Sequence, residues 1–191
     1  MGGAAAAAAF VAGCGPDDEQ GGRVLAGDPL ADVEALKLAL ELEEGQESFY
    51  RAALERDVAE DAAIHDLLAH VHEQERSHAG ALRTALRQLG ERPGKPREAA
   101  VERLLAGPAG ALDAARKLEE LAEATYLALV GKLRSEELLA TLLAIHSVEG
   151  RQAAAISKAA GGDPLAGRAI PKAPPLREVR RRLERHLAAR A

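Results

Sequence analysis

Apolar residues recur every three or four positions along four long stretches of the chain, a period that predicts amphipathic α-helices. We expect these helices at about residues 29–56, 60–89, 109–133 and 135–161. The first begins at Asp28-Pro29, where the aspartate can cap the helix and the proline suits its first position. The second ends at Gly90, a common C-terminal signal. A shorter amphipathic stretch follows near the C-terminus.

The second half of this pattern repeats the first half. Apolar positions of the first helix match those of the third at an offset of 76, and those of the second match the fourth at an offset of 74. A single hairpin would leave its apolar face exposed, so two hairpins must pack together. The long connection at 90–108 favours a crossover between them. The predicted fold is therefore all-α: a four-helix up-down bundle of two duplicated helical hairpins with a crossover, plus a short C-terminal helix.

Composition agrees with this fold and excludes several classes of protein. The 191 residues fit one domain with tails; 47% are hydrophobic and only 2% aromatic, with alanine and leucine dominant. A net charge of −5 argues against nucleic acid as the main partner. The single cysteine excludes an internal disulfide framework. No stretch after residue 14 is apolar for long enough to span a membrane.

A glutamate interrupts the middle of each apolar stripe. The four residues are Glu43, Glu75, Glu119 and Glu149. Within each hairpin the two glutamates are equidistant from the turn, so all four lie at one level of the bundle. Burying one unpaired carboxylate costs several kcal/mol, and no lysine or arginine lies on these stripes to compensate. Two divalent metal ions would supply the four positive charges that the layer lacks.

Other polar side chains accompany the carboxylate layer. His78 follows Glu75 by three residues, which places both on one face of the helix. Tyr50 and Tyr126 occupy equivalent positions of the two hairpins, each seven residues after a stripe glutamate. A phenol can hydrogen-bond a metal-bound carboxylate and can donate an electron to an oxidised metal, so these tyrosines are candidate catalytic residues.

Taken together, these motifs resemble the ferritin-like superfamily, in particular its rubrerythrin-like and bacterial ferritin-like-domain branches. The resemblance covers roughly residues 30–160 and includes Glu75-Arg76-Ser77-His78 as a Glu-x-x-His motif. It implies a carboxylate-bridged di-iron or di-manganese centre, so iron or manganese is the expected cofactor. In that centre Glu43 and Glu119 would be terminal ligands, Glu75 and Glu149 would bridge, and His78 would complete one metal site.

One position departs from the family pattern. Gln152 stands where a second histidine is expected, and an amide is a weaker ligand than an imidazole, which puts the second metal position in doubt. His146 either replaces part of the missing ligand or, like His72, is a paired and partly exposed histidine. Glu47 and Glu123 are either extra ligands or members of a solvated acidic face.

The ends of the chain predict separate segments. Residues 1–14 end in a small-residue triplet and Cys14 and resemble a lipoprotein leader with its lipobox, although the usual positive charges are missing. The alternative is a disordered tail with an incidental cysteine. We expect a tether at 15–27, the bundle at 28–160, a linker rich in proline and glycine at 161–175, and a basic amphipathic helix at 176–191.

Two functions suit this sequence. The first is a redox metalloprotein that reacts with oxygen or peroxide; without a rubredoxin-type cysteine pair it is not a complete rubrerythrin. The second is a non-enzymatic, envelope-anchored structural or binding module with a vestigial metal site. A lipid anchor on Cys14 places either one in the bacterial cell envelope, outside the cytoplasm; without the anchor the chain is cytoplasmic. The basic helix either contacts anionic lipid or docks on the bundle, and a homodimer is compatible with the sequence.

Overall fold

The computed structural model describes residues 29–59, 61–94, 104–105, 110–167 and 171–187. Within these ranges all regular secondary structure is helical, which confirms the all-α prediction. The helices are α1 (Pro29–Glu55), α2 (Ala62–Gln88), α3 (Gly110–Val130), α4 (Glu136–Ala159) and α5 (Leu176–Leu187). Among the described helices, none is both long and apolar enough to cross a membrane. The predicted leader and tether, and most of the crossover, lie outside the described residues.

The four long helices form the predicted pair of hairpins. Helix α1 packs along α2 and α3 packs along α4, and each pair is joined by a short turn. Contacts between α1 and α3, and between α2 and α4, join the two hairpins. The apolar stripes face inward and supply a core of leucine, alanine and aromatic side chains. The glutamates that interrupt these stripes therefore lie in the interior of the bundle.

Side-chain caps define the starts of two helices and tie the hairpins together. Asp61 and Ser135 cap α2 and α4, each accepting a hydrogen bond from the backbone N–H three residues further on. Asp32, which is buried on α1, accepts hydrogen bonds from the backbone N–H groups of Arg134 and Ser135 at 2.8 and 3.0 Å. This carboxylate fixes the turn of the second hairpin against the first helix of the other.

Helices α2 and α4 also end in the same way. Gly90 and Gly161 have positive φ angles of 80° and 76°, a conformation that glycine adopts without a steric penalty. The residue after each glycine, Glu91 or Gly162, donates its N–H to a carbonyl five residues earlier at 2.9 or 2.8 Å. Each glycine thus allows the last helical turn to end in this backbone hydrogen bond.

The C-terminal helix α5 docks on the bundle. Val179 and Leu183 are buried, and α5 contacts α3 and α1. Arg180 lies at the edge of this contact, 3.5 Å from Glu34. Of the two arrangements that the sequence left open for this helix, the docked one is found in this structure.

Candidate metal centre

Four side chains from three helices converge in the interior of the bundle. They are Glu43 from α1, Glu75 and His78 from α2, and Glu149 from α4. One ligand atom from each lies within 4.8 Å of the corresponding atoms of the other three. The three glutamates are fully buried, and His78 keeps 9% of its surface exposed. We call these four residues the carboxylate–histidine group.

The imidazole of His78 lies among the three carboxylates. Its Nδ1 atom is 3.2 Å from Glu43 Oε2, 3.0 Å from Glu149 Oε1 and 3.8 Å from Glu75 Oε2. Among the described residues, only its approach to Glu43 has the direction of a hydrogen bond. One ring nitrogen carries at most one hydrogen, so it cannot satisfy three carboxylates at once.

Several oxygen atoms of the group consequently lack partners. Among the described residues, Glu75 Oε2 and both carboxylate oxygens of Glu149 are buried without a hydrogen bond. No lysine or arginine of the described chain pairs with the group. Buried polar atoms are nearly always hydrogen-bonded or bound to a cation. The geometry is therefore one that can hold a metal ion.

The fourth interior glutamate lies in a different environment. Glu119 is buried on α3 and is not part of the carboxylate–histidine group. Its Oε1 accepts hydrogen bonds from the Tyr50 hydroxyl at 2.5 Å and from Gln46 Nε2 at 3.0 Å. Sequence reasoning did not assign a role to Gln46, although a polar residue on the apolar stripe of α1 was a visible signal.

Tyr126 makes the equivalent contact from the second hairpin to the first. Its hydroxyl donates a hydrogen bond to Glu43 Oε1. Both tyrosines are fully buried, and each reaches from one hairpin to a glutamate of the other. The predicted proximity of the two phenols to the carboxylate layer is thus present in the structure.

Gln152 lies at the same level, and its amide contacts a member of the group. Its Nε2 donates hydrogen bonds to Glu75 Oε1 at 2.7 Å and to Gln74 Oε1 at 3.1 Å. Its Oε1 is buried and has no partner among the described residues. Gln152 therefore meets the site as a hydrogen-bond donor.

The flanking polar residues lie outside the group. His72 Nε2 is 3.2 Å from Glu47 Oε1, so these two residues pair with each other at the edge of the bundle. His146 is half-buried, and its Nδ1 has no hydrogen-bond partner among the described residues. Glu123 is also half-buried. For His72 the arrangement matches the paired, partly exposed histidine considered from the sequence.

Burial and mutual repulsion raise the pKa values of the interior glutamates. Burial raises the pKa of each of the four interior glutamates, and neighbouring carboxylate charges raise it further, to about 8 for Glu119. Burial alone would lower the pKa of His78, but the facing carboxylates of Glu149, Glu43 and Glu75 outweigh it and bring that pKa to about 12. Without a cation, this interior retains protons that a metal ion must displace.

The donor set is one that can hold a metal ion. Carboxylate oxygen and imidazole nitrogen are both common metal ligands in proteins. Glu43, Glu75, His78 and Glu149 are the residues that would hold the ion. The orphaned oxygens of Glu75 and Glu149 are the atoms that a cation would satisfy.

Fold and site together define a helical bundle with an interior carboxylate–histidine site, and the comparisons give its family. The model of the ferritin-like domain family matches residues 31–162. The chain therefore belongs to the ferritin-like domain family, as the motifs indicated. A search of curated proteins found no match.

A solved structure has the same fold. It is described as a conserved hypothetical protein from Mycobacterium tuberculosis, and it superposes with a TM-score of 0.60 at 19% sequence identity. The match covers 74% of this chain and 98% of that one. At this identity the likeness concerns the fold alone.

Proposed function

We propose that this ferritin-like protein binds iron or manganese at the carboxylate–histidine group. The observation that carries the proposal is the set of buried oxygens of Glu75 and Glu149 that lack a hydrogen-bond partner in the described part of the chain and face one imidazole nitrogen. Leaving a buried carboxylate unpaired costs several kcal/mol. A divalent ion removes that cost, while a hydrogen bond to His78 removes it for one carboxylate only.

We propose further that the bound metal has a redox role, in iron oxidation or in defence against oxidative stress. Iron or manganese would supply one-electron chemistry toward oxygen or peroxide. The protein's part is to hold the ligands and exclude bulk water. Tyr126 orients Glu43 through its hydroxyl, and the burial of both tyrosines keeps their phenols beside the site as candidate electron donors. The pKa of each phenol is raised well above 10 by burial and by nearby carboxylates, so both keep their protons at neutral pH.

Metal content measures the binding proposal directly. The full chain is stripped with a chelator, loaded anaerobically with Fe²⁺ or Mn²⁺, and its metal is counted by mass spectrometry. We expect at least one ion per chain, and an affinity loss of about 100-fold in Glu75→Gln. Glu73→Gln is the matched control, because Glu73 is exposed on the same helix and its substitution removes the same charge. Metal-free protein after loading, or equal binding by both variants, would overturn the proposal.

Redox activity needs a separate measurement. The Fe²⁺-loaded chain is mixed with peroxide or with oxygen, and the oxidation of iron is followed optically. We expect oxidation faster than that of free Fe²⁺ in the same buffer, and slower in Tyr126→Phe than in the original chain. Equal rates for loaded and free iron would reject the redox role and leave metal binding intact.

The second candidate is a structural or binding module with a vestigial site. The hydrogen bonds that Gln46 and Gln152 donate to interior glutamates favour it, because they satisfy carboxylates without a metal. Under this alternative the loading experiment gives no bound ion, and Glu75→Gln does not destabilise the chain, because the metal-free fold already raises the pKa of Glu75 and favours its neutral form.

We also propose that Cys14 carries a lipid that anchors the protein in the cell envelope. The support is the small-residue triplet before this single cysteine. The residue lies outside the described part of the chain. Metabolic labelling with a tagged fatty acid tests the proposal: the original chain should be labelled, Cys14→Ser should not, and labelling of neither would reject it.

A further inference from the structure

The duplication allows the two halves of the site to be compared residue by residue. Each half should contribute a glutamate with its cross-hairpin tyrosine and a helix bearing a glutamate and a ligand three residues later. The first half has His78 as that ligand, and it lies 3.0–3.8 Å from three carboxylates. The second half has Gln152.

Gln152 contacts the site through the wrong atom for a ligand. Its Nε2 donates to Glu75 Oε1 at 2.7 Å, and a hydrogen-bond donor and a metal ion compete for the same lone pair. Reversing the amide would place its oxygen against two other oxygens, those of Glu75 and Gln74. The observed orientation is therefore the one that the neighbouring atoms select.

A second amide donates to the fourth interior glutamate. Gln46 Nε2 donates to Glu119 Oε1 at 3.0 Å, beside the hydrogen bond from Tyr50. The residue equivalent to Gln46 in the other hairpin is Ala122, which has no polar side chain to offer Glu43. Both departures from the duplication thus place an amide donor on an interior carboxylate: Gln152 on Glu75, and Gln46 on Glu119.

The candidate ligand atoms gather around His78. Glu43, Glu75, His78 and Glu149 bring one atom each within 4.8 Å, and Glu119 is outside this group. Glu119 is occupied instead by its two donors. The position beside His78 thus has one nitrogen and three carboxylates within reach, and one of these, Glu149, comes from the second hairpin. On the other side of the site an amide replaces the imidazole, and Glu119 accepts two hydrogen bonds on its Oε1.

We propose that the site holds one metal ion, at the position beside His78, and that the amides of Gln46 and Gln152 close the second position. This inference rests on the proposed metal binding. It makes the two amides the residues that determine stoichiometry, and it distinguishes this chain from a dinuclear centre built on two equivalent halves.

Manganese stoichiometry and spectroscopy test the inference. The full chain is titrated with Mn²⁺ by equilibrium dialysis, and its electron paramagnetic resonance spectrum is recorded. We expect one Mn²⁺ per chain and the resolved hyperfine lines of an isolated ion. Gln152→His, alone or with Gln46→Ala, rebuilds the second half on the pattern of the first. The double variant should bind two ions and give the broadened spectrum of a spin-coupled pair.

Control measurements distinguish a failure of this inference from a failure of the proposed metal binding. Gln88→His adds an exposed histidine to α2 and should leave one ion per chain. No Mn²⁺ bound by the original chain would overturn the proposed function itself. Two ions bound by the original chain, or one ion that neither rebuilt variant increases, would overturn this inference and leave metal binding intact. The number of Mn²⁺ ions bound by the original chain can overturn the inference by itself, so the test remains valid even if a variant misfolds.

Discussion

The hydroxyl of Tyr50 donates a hydrogen bond to Glu119 Oε1 at 2.5 Å, across the interface between the two hairpins. Tyr126 returns the contact by donating to Glu43. Each tyrosine therefore orients a glutamate of the opposite hairpin. The two contacts are equivalent in the duplicated sequence, yet only Glu43 belongs to the carboxylate–histidine group. Tyr126, and not Tyr50, therefore donates its hydroxyl to a member of that group.

Replacing either tyrosine should therefore have different effects on metal binding. Tyr126→Phe removes the hydroxyl that donates to Glu43, and we expect Mn²⁺ affinity to fall about 10-fold or more. Tyr50→Phe is the matched control, since it removes the same group from Glu119, and its affinity should change less than about 3-fold. Calorimetric titration measures both. Equal losses of affinity would contradict the assignment of the ion to the position beside His78.

The metal-free protein should become less stable as pH rises. The folded-state pKa of Glu119 is about 8, above its ordinary value of 4.5, so the folded chain holds a proton that the unfolded chain releases between these values. The raised pKa of His78, about 12 against 6.5, acts in the same direction at higher pH. Urea denaturation should therefore give a lower free energy of unfolding at pH 8 than at pH 5.

Metal binding should show the opposite dependence on pH. The ion must displace protons from the interior carboxylates and from His78, so its affinity rises as pH rises. Mn²⁺ titrations at pH 6 and pH 8 should give tighter binding at pH 8, with protons released to the buffer. An affinity that does not change with pH would contradict the raised pKa values of the interior glutamates.

The capping contact of Asp32 should contribute measurably to stability. Asp32→Ala leaves the backbone N–H groups of Arg134 and Ser135 without their acceptor. We expect a loss of about 1–2 kcal/mol in the free energy of unfolding. Asp66→Ala is the control, because the Asp66 side chain is 87% exposed and should change stability by less than about 0.5 kcal/mol. Similar losses in both variants would contradict this role.

Helix α5 should unfold together with the bundle. Leu183 is 1% exposed, so Leu183→Ala removes a buried side chain and should lower the free energy of unfolding by about 2 kcal/mol. Leu165→Ala makes the same change at a position that is 89% exposed, and it should be close to neutral. Urea denaturation followed by circular dichroism compares them. A neutral Leu183→Ala would mean that α5 folds independently of the bundle.

Much of the fold followed from the sequence because helices are local structures. The period of the apolar positions and the turn signals lie within a few residues of each other, and they predicted four long helices and their pairing. The resemblance to the ferritin-like superfamily rested on equally local motifs, such as Glu75 followed by His78. The buried contact of Asp32 with the distant turn at Ser135 had no such local signal.

The sequence by itself determined that four glutamates and two tyrosines enter the interior, because burial follows from the period of the helices. Only the tertiary structure decided how these groups share their hydrogen bonds. The two hairpins are nearly equivalent in sequence, but Gln46 and Gln152 direct their amides at Glu119 and Glu75, while His78 faces three carboxylates. Side-chain direction depends on what the opposite helix presents, and that is known only once the helices have packed.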